Sequence, residues 1–169
     1  MAIHTGNHVV QRCLQKLEPE FNQFIYDAVA ERCIQVASHR HGCCVFQRCI
    51  DYASPKQMHQ IVMEVVDKTV SLVQDPFGNY VVQYVLEQVP AYRPNIVGIM
   101  AMSIVELSRQ KFSSNVVEKC LQLASPKGQA MMVTQLAQRE HILQLLQVHF
   151  CFCIQMAWEA VFGLEAHTF

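Results

Sequence analysis

One six-residue phrase, written four times at nearly constant spacing, constrains this chain more than any other feature. The copies are Gly6-Asn7-His8-Val9-Val10-Gln11, Gly42-Cys43-Cys44-Val45-Phe46-Gln47, Gly78-Asn79-Tyr80-Val81-Val82-Gln83 and Ser113-Ser114-Asn115-Val116-Val117-Glu118. Their second residues stand at 7, 43, 79 and 114, so the steps are 36, 36 and 35 residues. A fixed period of this size specifies stacked supersecondary units rather than a closed globule. In the quintets that begin at those positions, the third and fourth residues stay apolar. The first, second and fifth change from copy to copy.

The 169 residues are 51% hydrophobic and 16% charged, which is ample for a core and unlike a disordered chain. A net charge of −1 and a pI near 6.7 supply no bulk attraction for a nucleic acid. Any contact with RNA or DNA must come from local placement. Eight cysteines stand at 13, 33, 43, 44, 49, 120, 151 and 153, with no Cys-x-x-Cys pair among them. That argues for free, mostly buried thiols in a reducing compartment and against a zinc site. No basic-then-apolar signal opens the chain and no apolar run is long enough to span a bilayer. The expectation is a cytoplasmic protein with no metal and no cofactor.

Read in order, the chain opens almost on the first phrase, as though inside a repeat. Pro19, Pro55 and Pro126 each lie twelve residues after the first quintet residue. Ser54-Pro55 and Ser125-Pro126 read as an N-cap followed by a first-turn proline, and Ser54 and Gln57 have capping-box spacing. The third copy carries Pro90 and Pro94 at this boundary instead. Amphipathic helices are predicted over roughly 20–32, 55–67, 93–103 and 126–138. Shorter helical segments follow, such as Thr69–Gln74 and Ile104–Ser108, before each quintet helix. Asp75-Pro76 reads as another cap and first-turn proline. Every unit is therefore two or three helices, and the architecture is an all-α solenoid. The period covers residues 1–147 and fails from Val148. Two readings of 148–169 stand side by side. One is an atypical capping segment. The other is a gene-model artefact in which Val148 to Gln155 is a retained intron, since valine codons begin GT and glutamine has the codon CAG.

On a helix at about 100° per residue, quintet positions three, four, seven and eight fall on one arc. They are Val9, Val10, Cys13 and Leu14; Val45, Phe46, Cys49 and Ile50; Val81, Val82, Val85 and Leu86; Val116, Val117, Cys120 and Leu121. All are apolar, which marks the stripe that packs unit on unit. The opposite arc carries the variable trio: Asn7, His8 and Gln11; Cys43, Cys44 and Gln47; Asn79, Tyr80 and Gln83; Ser114, Asn115 and Glu118. Amides, hydroxyls and carboxylates at the edge positions can bond the edge of a flat base. His8 and Tyr80 offer faces for stacking. Arg12, Arg48 and Lys119 follow three of the quintets and border the arc where a phosphate could lie. A solvated helix face would explain one trio, but not four in phase, each ending in an amide or carboxylate.

These residues, with Asp75-Pro76-Phe77-Gly78-Asn79-Tyr80-Val81-Val82-Gln83 and Lys111-Phe112-Ser113-Ser114-Asn115-Val116-Val117-Glu118-Lys119-Cys120, resemble the Pumilio (PUF) family of RNA-binding repeat proteins, in particular fungal or plant members. The resemblance implies a right-handed, armadillo-like solenoid of PUF repeats, curved, with a concave RNA-binding face. It implies a monomer that reads single-stranded RNA at one base per repeat. By the family's code, Asn7/Gln11 would read U with His8 stacking, Cys43/Gln47 would read A beside Cys44, Asn79/Gln83 would read U with Tyr80 stacking, and Ser114/Glu118 would read G beside Asn115. Cys44 departs from the arginine or aromatic often found there, which implies weak stacking at that step. Family members bind RNA antiparallel to the chain, so the implied core is 5′-GUAU-3′ within a UGUA-type element of 3′ untranslated regions. Repression or deadenylation co-regulators are implied as partners. These four repeats resemble the fourth to seventh of an eight-repeat domain.

Two other readings compete. A HEAT- or armadillo-like scaffold for protein partners would share the helices, but has no reason to keep the fifth quintet residue polar in phase. An enzyme using Cys43 with His39 or His41 lacks an orienting third residue. The run His39-Arg40-His41 fits better at a helix start or against RNA backbone.

Overall fold

The computed structural model describes residues 3–138, with side chains from residue 7 onward. Segment 148–169, with both of its readings, lies outside the described residues. Among those described there are eleven α-helices, one 3-10 turn and no strand. The long helices are α1 (Ile3–Lys16), α2 (Pro19–Glu31), α4 (Gly42–Tyr52), α5 (Pro55–Asp67), α7 (Gly78–Gln88), α8 (Arg93–Met102), α10 (Ser113–Leu123) and α11 (Pro126–Leu136). Between them lie the one-turn helices α3 (Cys33–Ala37), α6 (Thr69–Val73) and α9 (Ile104–Ser108), and the 3-10 turn Pro90–Tyr92.

The chain forms two compact units, one up to Val85 and one from Leu86. In the first, quintet helix α1 lies beside quintet helix α4, and α2 lies beside α5. The short helix α3 contacts α2, α4, α5 and α6. In the second, α10 packs on α8, α9 and α11, and α11 packs on α8. Helices thus pair with their counterparts one period away, as a solenoid requires.

The apolar stripe makes the core. Phe46, Cys49 and Ile50 of α4, the α7 set Val81, Val82, Val85 and Leu86, and the α10 set Val116, Val117, Cys120 and Leu121 are all buried. The first copy differs. Leu14 is buried, Val10 and Cys13 are half-buried, and Val9 is 58% exposed. The third quintet residue faces the preceding repeat, as Val45 does where it lines a groove against α1. Among the described residues no helix covers that side of Val9.

Local sequence fixes the helix starts. Ser54 accepts from the Gln57 backbone N–H and the Gln57 side chain accepts from the Ser54 N–H, so the capping box is complete, with Pro55 in the first turn. Ser125 accepts from Gly128 N–H at the start of α11. Ahead of α7, Asp75 accepts from the N–H groups of Phe77 and Gly78 at 2.8 and 2.7 Å. Here the expectation of a first-turn proline needs correction. α7 begins at Gly78, so Pro76 sits in the preceding turn, where its fixed φ suits a residue that follows Asp75. His39 does the same work ahead of α4, its Nδ1 accepting from His41 and Gly42 N–H at 3.1 and 3.3 Å. In the third copy the 3-10 turn at Pro90 replaces the serine cap. Arg93 then donates to the Leu86 and Glu87 carbonyls, which the end of α7 leaves unpaired.

Two glycines are demanded by close approach. A Cβ on Gly42 would stand 2.0 Å from the Val36 carbonyl oxygen, and one on Gly78 would stand 2.8 Å from that of Leu72. In the fourth copy Ser113 occupies this place, buried, and its hydroxyl donates to the matching carbonyl of Leu107 at 2.6 Å. The same junction is closed by contact in the second and third copies and by a hydrogen bond in the fourth.

The step from α2 to α5 is pinned by one buried amide. Gln57 Nε2 lies 2.9 Å from the Pro19 carbonyl, 2.9 Å from Asn22 Oδ1 and 3.2 Å from Gln23 Oε1. Around it Gln23, Gln60 and Asp27 bond one another. Such a network selects one register between repeats, because any slip leaves a buried amide unpaired.

Candidate nucleic-acid interface

In α4, α7 and α10 the trio occupies the first two turns of the helix, in α1 it begins at the fifth residue, and the members of a trio differ in depth. The second residues His8, Cys44, Tyr80 and Asn115 are exposed, Tyr80 at 55%. The fifth residues Gln11, Gln47, Gln83 and Glu118 are half-buried. In the last three copies the first residues lie deepest. Asn7 is half-buried, Cys43 and Ser114 are 7% exposed and Asn79 is 1% exposed. A helical wheel puts the first residue on the open arc, so this is a correction to the simple picture of a solvated trio. The reason is axial. Cα–Cβ bonds tilt toward the helix N-terminus, so a first-turn side chain leans back onto the loop before it.

That lean gives the first residues a common partner. Cys43 Sγ donates to the Arg40 carbonyl at 3.5 Å, Asn79 Nδ2 to that of Asp75 at 2.8 Å, and Ser114 Oγ to that of Lys111 at 3.3 Å. Each is held in one orientation by the turn that starts its helix. In the third copy Gln83 Nε2 donates to Asn79 Oδ1 at 3.0 Å, joining the two edge residues of one trio. In the fourth, the Glu118 carboxylate accepts from Gln122 at 3.1 Å.

Adjacent trios meet in the first unit. Asn7, His8 and Gln11 of α1 line one groove of about 260 Å³ together with His41, Cys44 and Arg48. The edge residues of one copy therefore share a recess with the stacking position of the next. A planar ring entering it would find polar atoms at its edge and His8 and Cys44 at its mouth.

The cations that follow the quintets have partners that the sequence did not reveal. Lys119 Nζ lies 2.7 Å from Glu87 Oε1, which belongs to the preceding quintet helix. Arg48 Nη1 lies 3.2 Å from Asp51 Oδ2, and the Tyr84 hydroxyl donates to the same carboxylate from the next quintet helix. A phosphate would have to share Arg48 and Lys119 with these carboxylates. Arg12 is exposed. Asp51 and Glu87 both stand at the ninth residue counted from their quintet's start, so the sixth residue of one copy ties to the ninth of the copy before. No single-helix pattern contains that signal; it appears only when the copies are compared at a separation of one period.

The buried thiols are unsuited to attack. Burial pushes Cys49 and Cys120 up to about 12 and Cys33 up to about 11. Cys43 is raised as well, chiefly by burial and then by Cys44 beside it. A nucleophile needs the opposite shift. His39 Nδ1, the other half of the enzyme reading, is occupied by two backbone N–H groups. Among the described residues no three His, Cys, Asp or Glu side chains come together as metal ligands.

A helical-repeat protein with one polar trio per repeat on its quintet helices is what fold and site define together. The sequence profile of the Pumilio-family RNA binding repeat (PUF) matches residues 5–30, 32–66, 68–92 and 103–137. A Pumilio domain-containing protein of Schizosaccharomyces pombe is 46% identical over 154 residues, which are 90% of this chain and 23% of that protein. Pumilio homolog 12 of Arabidopsis thaliana is 44% identical over 142 residues, 83% of this chain and 24% of that protein. Among solved structures, the Puf4 RNA-binding domain bound to the HO endonuclease RNA 3′ UTR recognition sequence superposes with a TM-score of 0.83 at 38% identity, covering 92% of this chain and 50% of that one. The RNA-binding domain of yeast Puf5p bound to SMX2 RNA gives 0.77 at 28% identity, covering 90% and 48%. This chain belongs to the Pumilio (PUF) family of RNA-binding repeat proteins, and it spans about a quarter of the length of those curated relatives.

Proposed function

We propose that this chain binds single-stranded RNA in a sequence-specific way, one base to each repeat. The order read is 5′-GUAU-3′ from the fourth trio to the first, within a UGUA-type element of message 3′ untranslated regions. The outcome in the cell is repression or decay of the bound message, with co-regulators recruited alongside, in a reducing cytoplasm that suits its buried thiols.

The observation that supports this reading best is the in-phase fixing of the first trio residues. Three different side chains, a thiol, an amide and a hydroxyl, are each anchored to the carbonyl of the preceding turn. Each lies below an exposed second residue and beside a half-buried fifth. Polar groups held in fixed orientations discriminate base edges, because the wrong edge leaves a desolvated group unpaired. Ser114 and Glu118 carry the clearest assignment. A carboxylate accepts from the N1–H and N2–H₂ donors of guanine, and adenine presents no such pair. For Asn79 and Gln83, binding exchanges the bond between the two amides for bonds to uracil.

Titration of a labelled 5′-UGUAU RNA, alongside a control with the G replaced, tests the reading. The labelled RNA is bound and the control is weaker by about 5- to 150-fold, as one lost base-edge contact of about 1–3 kcal/mol requires. Equal binding of the two would exclude sequence reading.

A further inference from the structure

Cysteines at adjacent positions occur once in this chain, as Cys43-Cys44. The pair supplies both the first and the second residue of the second trio, where the other copies carry Asn7-His8, Asn79-Tyr80 and Ser114-Asn115. Both thiols therefore stand at one base-reading step. They differ in access. Cys43 is 7% exposed, and its Sγ donates to the Arg40 carbonyl at 3.5 Å. Cys44 is the exposed cysteine among the described residues, and the two side chains lie in hydrogen-bonding contact.

Cys44 opens into the groove of about 260 Å³ between α1 and α4. Val10, Leu14 and Val45 give that groove an apolar lining beside its polar edge. A group entering it meets Cys44 first and Cys43 below, with room left for an organic substituent. Two soft sulfurs in contact, with no third ligand gathered around them among the described residues, suit a thiophilic centre with two exchangeable valences. A linear two-coordinate metal ion needs its sulfurs on opposite sides, which touching side chains do not offer. Pyramidal trivalent arsenic bearing one organic group holds two sulfurs at close to a right angle, and so near one another.

We infer that Cys43 and Cys44 form a dithiol site that captures a mono-organic trivalent arsenical, and that capture switches off adenine reading by the second trio. The second half of this rests on the RNA reading proposed above. The arsenical enters as its dihydroxide. The Cys44 sulfur bonds to arsenic, and one hydroxide leaves as water with the Cys44 proton. The Cys43 sulfur then closes the ring, and the second hydroxide leaves as water with the Cys43 proton. Arsenic stays trivalent throughout and no electrons are transferred. Capture ends the bond from Cys43 to the Arg40 carbonyl, removes the thiol that would meet the base edge and fills the place of the base with the organic group.

Phenylarsine oxide is the probe, applied to the full chain in excess 2-mercaptoethanol, which strips arsenic from single cysteines. Trypsin cuts after Arg40 and Arg48, so the pair leaves on peptide 41–48 with no other cysteine. Mass spectrometry finds one phenylarsenic group on that peptide in place of two thiol hydrogens, and 2,3-dimercaptopropanol removes it. Cys43→Ser and Cys44→Ser each abolish the adduct there. Affinity for labelled 5′-UGUAU falls by about 5- to 150-fold, the range for one lost base-edge contact. The preference over 5′-UGUCU disappears with it, and the dithiol restores both. Bound 5′-UGUAU weakens capture in turn, as linkage requires. No adduct on peptide 41–48, or one that survives either substitution, overturns the site. An adduct that leaves the preference intact, or that weakens both RNAs with loss of helical circular dichroism, overturns the switch. A chain that binds neither RNA before treatment contradicts the proposed function, while peptide 41–48 still decides the capture.

Discussion

Tyr80 is the most informative single side chain. It is 55% exposed, stands on the first turn of α7 and is flanked by Asn79 and Gln83, which bond each other. A ring so placed contributes a face and no edge, so it adds affinity without selecting a base. Tyr80→Ala therefore costs about 1–3 kcal/mol of RNA binding and leaves the order of base preference unchanged, which competition with single-base RNA variants measures. A change in preference of the same size as the loss would mean that Tyr80 reads rather than stacks. The buried thiols make a second prediction. Cys49 and Cys120 are raised by burial from 9.0 to about 12. The folded state keeps its thiol protons where the unfolded chain loses them. The stability tied to these protons is whole below 9 and is lost as pH climbs from 9 toward 12. Urea midpoints under reducing conditions should fall between pH 8 and pH 10, and fall less in Cys49→Ala/Cys120→Ala. Identical falls in the two proteins would assign the alkaline loss to other groups.

At the scale of helices, the sequence was legible wherever the signal is local. The long helices begin and end within a few residues of the periodic pattern, α6 and α9 lie at the short segments expected, and the Ser54–Gln57 capping box is present. Serine, proline and apolar spacing act within one turn, so one stretch of chain states them. What was not legible involves an axis or a neighbour. A wheel has no axial coordinate, so it could not show Asn79 and Ser114 leaning back into their preceding turns. Lys119 meeting Glu87, and Tyr84 and Arg48 sharing Asp51, needs two or more quintet helices side by side. The glycines belong to this scale too. Gly42 and Gly78 face carbonyls of α3 and α6 at distances no Cβ tolerates. Gly42→Ala destabilises by about 1–3 kcal/mol and Gly78→Ala by less, because the second contact is longer. Urea unfolding of both variants gives the order, and the reverse order would show that the junction at α4 relaxes more readily than its geometry suggests.

Across the whole chain, the repeats differ where bases would be told apart and agree where repeats pack. Phe46, Val82 and Val117 are apolar residues at equivalent buried positions, whereas Cys43, Asn79 and Ser114 are chemically distinct groups in one mechanical setting. That setting makes a transplant between copies meaningful. Asn79 and Gln83 already show how an Asn and a Gln fit at these two positions of a quintet helix, with the amide anchored to the preceding turn. The central claim is that the trio's edge chemistry, and not its surroundings, selects the base. The most direct measurement compares the affinities of Ser114→Asn/Glu118→Gln and the unaltered chain for 5′-UGUAU and 5′-UUUAU. The preference at the second base should pass from G to U, with the other bases read as before. A variant that still prefers G, or that binds both RNAs equally, would contradict the account.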